Sequence, residues 1–323
     1  MKFQIMLSCA GRQAPLVDAF RTAATEVGRV IVADLDPYAA ASSVGDLFLK
    51  SPPYTEAMYQ HWCLDVCERH NIGLWISLKE EELLVLEEIR PDLASRGCVL
   101  VGAPVLSIEL AQDKLGYADA LKPYGLLTLP SQTLKEVTED LQLTGESFII
   151  KKRRGRGSHG LKHASSRQEL IRLAENEMVS ANWIVQPFLE GNIYCIDVIN
   201  DLSGCYAGCL CRKRLKMGIQ ETDVALTLND PDIESIAEKL SLALRHQGCM
   251  DVDLIKHEGR VYVLDINLRF GGSHIFSLEA GARVPQAIIA WRQGKQPDPA
   301  YLDHIPGLII SRFSSVCRVG RQA

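Results

Sequence analysis

The sequence predicts an α/β protein, with a parallel sheet in its first hundred residues and a strand-rich region after it. Three observations carry this. Strand-like and helix-like stretches alternate from residue 1 to about 108, and the strands are apolar throughout, as parallel strands covered on both faces must be. Two later strands flank His257-Glu258-Gly259 as a hairpin. The 323 residues exceed what one core usually supports, so two or three packed units are expected.

The elements follow in order. Phe3 opens a short apolar run to Leu7, and Ser8 to Arg12 form the turn after it. Leu16, Val17, Phe20 and Ala24 line one face of a helix over 14–27. A strand over 30–34 ends in Asp34. A helix over 58–70 precedes a strand over 73–78, and a helix over 81–89 is stopped by Pro91. A strand covers 98–102. Gly11, Arg12, Asp34 and Glu80 to Glu82 lie at carboxyl ends of strands, where such sheets bind ligands. The Gly11 turn lacks the Gly-x-Gly-x-x-Gly spacing of a dinucleotide site, so Gly11 and Asp34 read foremost as closing turns, with a ribose contact from Asp34 as the alternative. Residues 109–130 read as a helix and a loop ending at Pro130. Strands over 148–151, 183–188, 194–199 and 204–212 follow, with helices over 166–178 and 233–246, then the hairpin strands over 250–256 and 260–266.

Composition narrows the function. Hydrophobic residues make up 47% and charged residues 23%, with a net charge of −5, as in a soluble globular protein. A nucleic-acid binder would carry a basic excess, so no nucleic-acid partner is expected. No stretch approaches the ~20 apolar residues of a membrane span, so no membrane partner is expected, and the first apolar run reads as a strand rather than a signal peptide. Ten cysteines follow neither a disulfide framework nor a metal spacing, and read as small buried hydrophobes in a reducing cytoplasm.

Three constellations carry chemistry. Lys151 ends a strand that runs into Arg153-Arg154-Gly155-Arg156-Gly157-Ser158-His159-Gly160. Glycines there expose backbone N–H groups to an anion, and an ammonium at the strand end reaches a phosphate. No Gly-Lys-Ser or Gly-Lys-Thr closes the segment, so it is not a Walker loop. Next, strand alternation puts Asp251 and Asp253 on one face, and Asp265 and Asn267 on one face, of adjacent antiparallel strands. Two carboxylates and an amide oxygen make a hard oxygen site that suits Mg²⁺. Third, Arg269-Phe270-Gly271-Gly272-Ser273 places a cation beside that site, where it can clamp a transferring phosphoryl group. The run Arg212 to Lys216 reads either as cations for a triphosphate or as a solvated edge. His159 and His274 are not expected to act as bases.

In this order, the motifs resemble the ATP-grasp superfamily. Asp113-Lys114 resembles the pair that opens its nucleotide-binding region. Lys151 and the loop 155–160 resemble its second lysine and phosphate-covering loop, and Val185-Gln186-Pro187-Phe188-Leu189 its adenine-binding hinge. The resemblance implies a Rossmann-like domain over 1–108, then a two-lobed α+β ATP-grasp fold, with an N-lobe over 109–190 and a C-lobe over 191–323. It implies nucleotide contacts from Lys114, Lys151, Gly155, Arg156, Gly157, Ser158, Gln186, Pro187, Phe188, Leu189 and Glu190. It implies metal ligands Asp253, Asp265 and Asn267, and catalytic roles for Arg269 and Lys151. The implied cofactors are ATP and Mg²⁺, or Mn²⁺. Ile193 stands where the family often has a ribose-binding acid, Asp265 where glutamate is commoner, and Leu268 where proline is frequent.

The implied activity is that of a carboxylate–amine ligase working through an acyl phosphate, with release of ADP and phosphate. Both substrates would be small molecules, with an amino acid favoured. Single-module relatives of the carbamoyl-phosphate synthase large chain are the nearest sub-group by resemblance. A small-molecule kinase and a non-catalytic nucleotide-binding module are the alternatives, and a homodimer is the base-rate expectation for a soluble enzyme.

Overall fold

A computed structural model of the chain describes residues 2–155, 160–176, 182–218 and 221–320. Its first sheet contains β1 (Gln4–Ser8), β2 (Val30–Asp34), β3 (Leu47–Lys50), β4 (Ile72–Ser77) and β5 (Val99–Val101). The strands are parallel in the order β3-β2-β1-β4-β5. Every residue of β4 is buried, which is why the strand reads as an unbroken apolar run. The order reverses between β1 and β4, so a crevice opens above the carboxyl ends of those two strands.

Helix α1 (Ala14–Ala23) stops short of the expected residue 27. The amides of Val27 and Gly28 turn back onto the Ala24 carbonyl, at 2.8 and 3.0 Å. A Cβ on Gly28 would lie 2.0 Å from the Phe3 carbonyl oxygen, so only glycine allows this approach to β1. After α2 (Met58–His70), α3 (Glu80–Glu88) ends before Pro91 as expected. Pro91 then sits in the first turn of a further helix, α4 (Arg90–Ser95), where its missing N–H costs nothing.

The helix expected from residue 109 lies earlier, as α5 (Val105–Gln112), and is followed by α6 (Tyr117–Leu121). Between them the Asp113 carboxylate accepts the amides of Leu115 and Gly116, which ends one helix and starts the next. Then comes β6 (Leu127–Thr128). A four-stranded sheet follows from β7 (Gln132–Thr133), β8 (Phe148–Lys152), β9 (Lys162–Ala164) and β10 (Trp183–Pro187), in the order β7-β10-β8-β9. The last strands are β11 (Asn192–Asn200), β12 (Tyr206–Met217), β13 (Thr222–Leu228), β14 (Gly248–His257), β15 (Arg260–Asn267) and β16 (Ile309–Ser311). With β6 they make a seven-stranded sheet in the order β16-β13-β12-β11-β14-β15-β6.

The first and third sheets share their cores. Trp75 and Leu86 pack in one cluster with Ile196, Val252 and Ile266, while Val17 and Phe20 join Phe270 and Ile288 in another. The four-stranded sheet has its own core of Leu134, Phe148, Ile150, Leu170 and Val185. Among the described residues no helix is long and apolar enough to cross a membrane.

Candidate active site

The site is built on the β14–β15 hairpin. Glu258 and Gly259 turn it with φ of 48° and 75°, as a two-residue loop of the primed type demands. Asp253 pairs with Asp265, and Asp251 with Asn267. The alternation expected from sequence would, if unbroken, put Asp265 on the same face as Val261 and Val263, which are buried in the core. A register shift prevents this. Leu254 pairs with Val263, so Leu264 is an extra residue on β15, and Ile266 takes over the core face. The bulge thus turns Asp265 and Asn267 toward Asp251 and Asp253. It also leaves the Leu264 carbonyl to accept bonds from the Tyr117 hydroxyl, at 2.8 Å, and from Lys151 Nζ, at 3.3 Å.

Cations converge on these acids from three directions. Lys114 Nζ lies 2.8 Å from Asp265 Oδ1. Arg214 Nη2 donates to both oxygens of Asp253, at 3.1 and 3.2 Å, and to Cys195 Sγ at 3.1 Å. Arg269 Nη2 donates to Asn267 Oδ1 at 3.3 Å, while the Asn267 amide donates to Asp251. Burial lowers the Lys151 ammonium from its ordinary value to about 8, although the Asp265 charge opposes the shift. Burial and the neighbouring Asp253 charge push the Asp251 carboxyl up.

The Asp113-Lys114 pair grips the start of the glycine-rich loop. Both Asp113 oxygens accept from Arg153 at 2.6 Å, and Lys114 Nζ donates to the Gly155 carbonyl at 2.8 Å. Of the other expected loop contacts, Arg156, Gly157 and Ser158 lie outside the described residues, as does His159. In the hinge, buried Gln186 donates to Ser131 Oγ at 2.8 Å, so its side chain braces the strand rather than facing a ligand. Pro187 pairs with Phe148. The Phe188 amide donates to the Ser147 carbonyl at 2.9 Å and its half-exposed ring meets His163 edge-on. Leu189 and Glu190 follow, and the Glu190 carbonyl is in contact with His257 Nδ1 at 2.6 Å.

The first sheet supplies the opposite wall. A cavity of about 420 Å³ is lined by Gly11, Arg12 and Lys79, from the turns after β1 and β4, and by Arg214, Asp253 and Arg269. It therefore occupies the crevice at the sheet's switch point. A second cavity of about 400 Å³ is lined by Lys114, Lys152, Arg154 and Gly155, and Asp265 and Asn267 border both. Of the acidic segment, Glu80 accepts the Leu268 amide, which ties the first domain to the end of the hairpin. Glu82 is fully buried against Ser77 and Tyr59, a structural role. Asp34 accepts the Gly11 amide at 2.9 Å and so closes a turn, as expected.

The basic run divides. Arg214 belongs to the site, whereas Arg212 is neither a phosphate ligand nor a solvated edge. It is 1% exposed and paired with Asp197, which also contacts His274 Nδ1 at 2.9 Å and accepts from Ser277 at 3.0 Å. Alternation along β12 puts Arg212 and Arg214 on one face, the one signal that could have singled them out. Among the described residues, one trio of His, Cys, Asp or Glu ligand atoms lies mutually within 4.8 Å, namely Asp197, Cys249 and His274. Arg212 already neutralises that carboxylate. The cysteines are all free, six of them buried, but Cys205 and Cys317 are exposed.

The geometry agrees with what comparison finds. The family model of the ATP-grasp domain matches residues 111–273. The chain belongs to the ATP-grasp family. A PylC-like N-terminal domain matches residues 5–101, which hold the parallel sheet. This ATP-grasp chain is similar to the carbamoyl phosphate synthase large chain of Thermotoga petrophila, at 26% identity over 185 residues. That stretch is 53% of this chain and 17% of the relative, so the chain spans under a fifth of the relative's length. Among solved structures it is similar to N5-carboxyaminoimidazole synthetase from Staphylococcus aureus, with TM-score 0.68, 18% identity, and coverage of 96% of this chain and 81% of that one. The L-amino acid ligase from Bacillus licheniformis gives 0.66 at 14% identity, covering 89% and 73%. At such identities these two speak for the ATP-grasp fold alone.

Proposed function

We propose that the protein is an ATP-dependent carboxylate–amine ligase. One observation carries the reading. Asp253, Asp265 and Asn267 are brought together by one hairpin, faced by Lys114, Lys151, Arg214 and Arg269, at the border of two cavities. The donors are hard oxygens, which fit Mg²⁺ or Mn²⁺. When bound, the metal would neutralise charge on the phosphates. The chain's residues do the rest. Lys114 and Lys151 hold the phosphates, the loop from Gly155 covers them, and residues 187–189 receive the adenine. Arg269 stabilises negative charge as a substrate carboxylate attacks the γ-phosphorus and ADP leaves. An amine then attacks the acyl phosphate and expels phosphate. Catalysis is by position and electrostatics, with no side-chain nucleophile.

The substrate acid enters from the cavity walled by Gly11, Arg12 and Lys79. Its walls carry Glu221 as well as these cations, which suits an amino acid. We assign 1–108 to this wall, 109–190 to the loop-bearing lobe and 191–323 to the metal-binding lobe. The test is ADP release from MgATP with pooled carboxylates and hydroxylamine. ADP with a hydroxamate is the expected result and identifies the acid by mass. ADP with a stable phosphorylated product and no hydroxamate would make the protein a kinase. Asp265→Ala should abolish ADP formation, and near-normal turnover in that variant would remove the proposed metal site.

A further inference from the structure

Each proposed metal ligand is in contact with a cation of the protein itself. Lys114 sits on Asp265, Arg214 on Asp253 and Arg269 on the side-chain oxygen of Asn267. We propose that these three cations are placeholders, which keep free divalent metal out until a polyphosphate draws them away, so that metal enters only together with nucleotide. This rests on the assignment of Asp253, Asp265 and Asn267 as the metal ligands.

Two independent features support it. The first is charge. Asp265 and Asp253 are each already paired with a cation of the chain, and Arg269 lies on the neutral Asn267 amide, so a bare divalent ion meets no unpaired negative charge at these three ligands. A metal–triphosphate complex carries net negative charge and meets attraction instead. The second is the reach of the placeholders. Lys114 Nζ is shared between Asp265 Oδ1 and the Gly155 carbonyl, each at 2.8 Å, at the base of the phosphate loop. A phosphate oxygen arriving beside Gly155 takes the ammonium from Asp265 with little movement of the lysine stem. Arg214 is held by Asp253, Cys195 and the Thr222 hydroxyl on the wall of the cavity that Arg269 also lines. Rotation of its side chain toward an anion in that cavity frees Asp253 Oδ2 and leaves Oδ1 accepting only from Cys195 Sγ, at 2.9 Å. A polyphosphate that spans the two cavities, which share Asp265 and Asn267, thus draws away both cations, and the order of binding follows from contacts made before any ligand is present.

The test is a titration of the purified full chain with Mn²⁺ alone, read by the loss of the free-ion EPR signal, and repeated with a non-hydrolysable ATP analogue, the Mn²⁺ held by the analogue in a protein-free titration being subtracted. Wild type should bind Mn²⁺ on the order of tenfold or more tightly with the analogue present. Lys114→Met and Arg214→Met should each tighten nucleotide-free binding by roughly tenfold, as expected for one close charge at a part-buried site. Two variants are used because either one alone could fail to fold. Asp265→Asn serves as the control. If it leaves Mn²⁺ binding in the analogue complex unchanged, the metal-ligand assignment falls. If it weakens that binding while Lys114→Met and Arg214→Met leave nucleotide-free binding at the wild-type level, the ligands stand and the placeholder idea is overturned.

Discussion

Asp197→Asn should destabilise the protein by about 3–5 kcal/mol, the cost of leaving a buried charge without its partner. The structure sets the magnitude. Asp197 and Arg212 are 0% and 1% exposed, and the carboxylate also accepts from Ser277 and contacts His274. Burial alone would raise the Asp197 carboxyl, but the Arg212 guanidinium and His274 outweigh it and hold it far below the usual carboxylate range. The pair's contribution is therefore fully present above about pH 4 and is lost only as pH falls below the carboxylate range, so the gap between wild type and variant should stay constant from pH 5 to 8. For a chain of this size the loss corresponds to a drop of roughly 4–7 °C in melting temperature. Replacing both partners, as Asp197→Leu with Arg212→Met, should recover most of it, because no uncompensated charge remains. Thermal unfolding of Asp197→Leu, Arg212→Met and the double variant gives the coupling energy. A single-variant loss under about 1 kcal/mol, or a double variant as unstable as the summed singles, would show that the pair is not desolvated.

Three further outcomes are expected. Lys151 titrates at about 8, so its ammonium is lost as pH rises through that value. KM for ATP should climb above pH 8 by up to about tenfold per pH unit, with kcat at saturation steady; a flat profile to pH 9.5, or an unchanged one in Lys151→Arg, excludes a phosphate contact. A Cβ on Gly271 would lie 2.2 Å from the Asp251 carboxylate, so Gly271→Ala should cost about 1–3 kcal/mol of stability and slow ADP release at least about tenfold at saturating ATP. Asp113 is held at about 2, first by its bonds to Arg153. Its stabilisation is present above about pH 4 and is lost as pH falls through about 2; after discounting for the one-third exposure of Arg153, Asp113→Asn should cost roughly 1 kcal/mol at neutral pH and raise KM for ATP several-fold.

Much of the fold was legible because its strands are buried on both faces or alternate cleanly. The runs that became β2, β4, β14 and β15 announce themselves by composition, and α2 by its periodicity. The seven-residue β13 was not foreseen, and neither were the strands over 47–50, 127–128, 132–133, 162–164 and 309–311, which are only two to four residues long and lie at sheet edges. Too few positions remain there for a period to register. Pro91 misled in part, because the residue that stops one helix is equally suited to starting another.

The candidate site shows a sharper division. The proposed ligands Asp253, Asp265 and Asn267, and Asp251 beside them, were readable because they are local in sequence, two residues apart on two neighbouring strands. Their common face was not readable, since it depends on one extra residue at Leu264 that reverses the parity of β15. The same chain without the bulge would bury Asp265 among Val261, Val263 and the Trp75 cluster, at a cost no apolar packing there could offset. The pairings of Lys114 with Asp265 and of Arg214 with Asp253 were also out of reach, because each joins different lobes or distant strands and leaves no local pattern. A site of this kind is thus specified twice. Residue type at short range decides which ligand it can hold, and the long-range pairings decide when those residues are free to hold it.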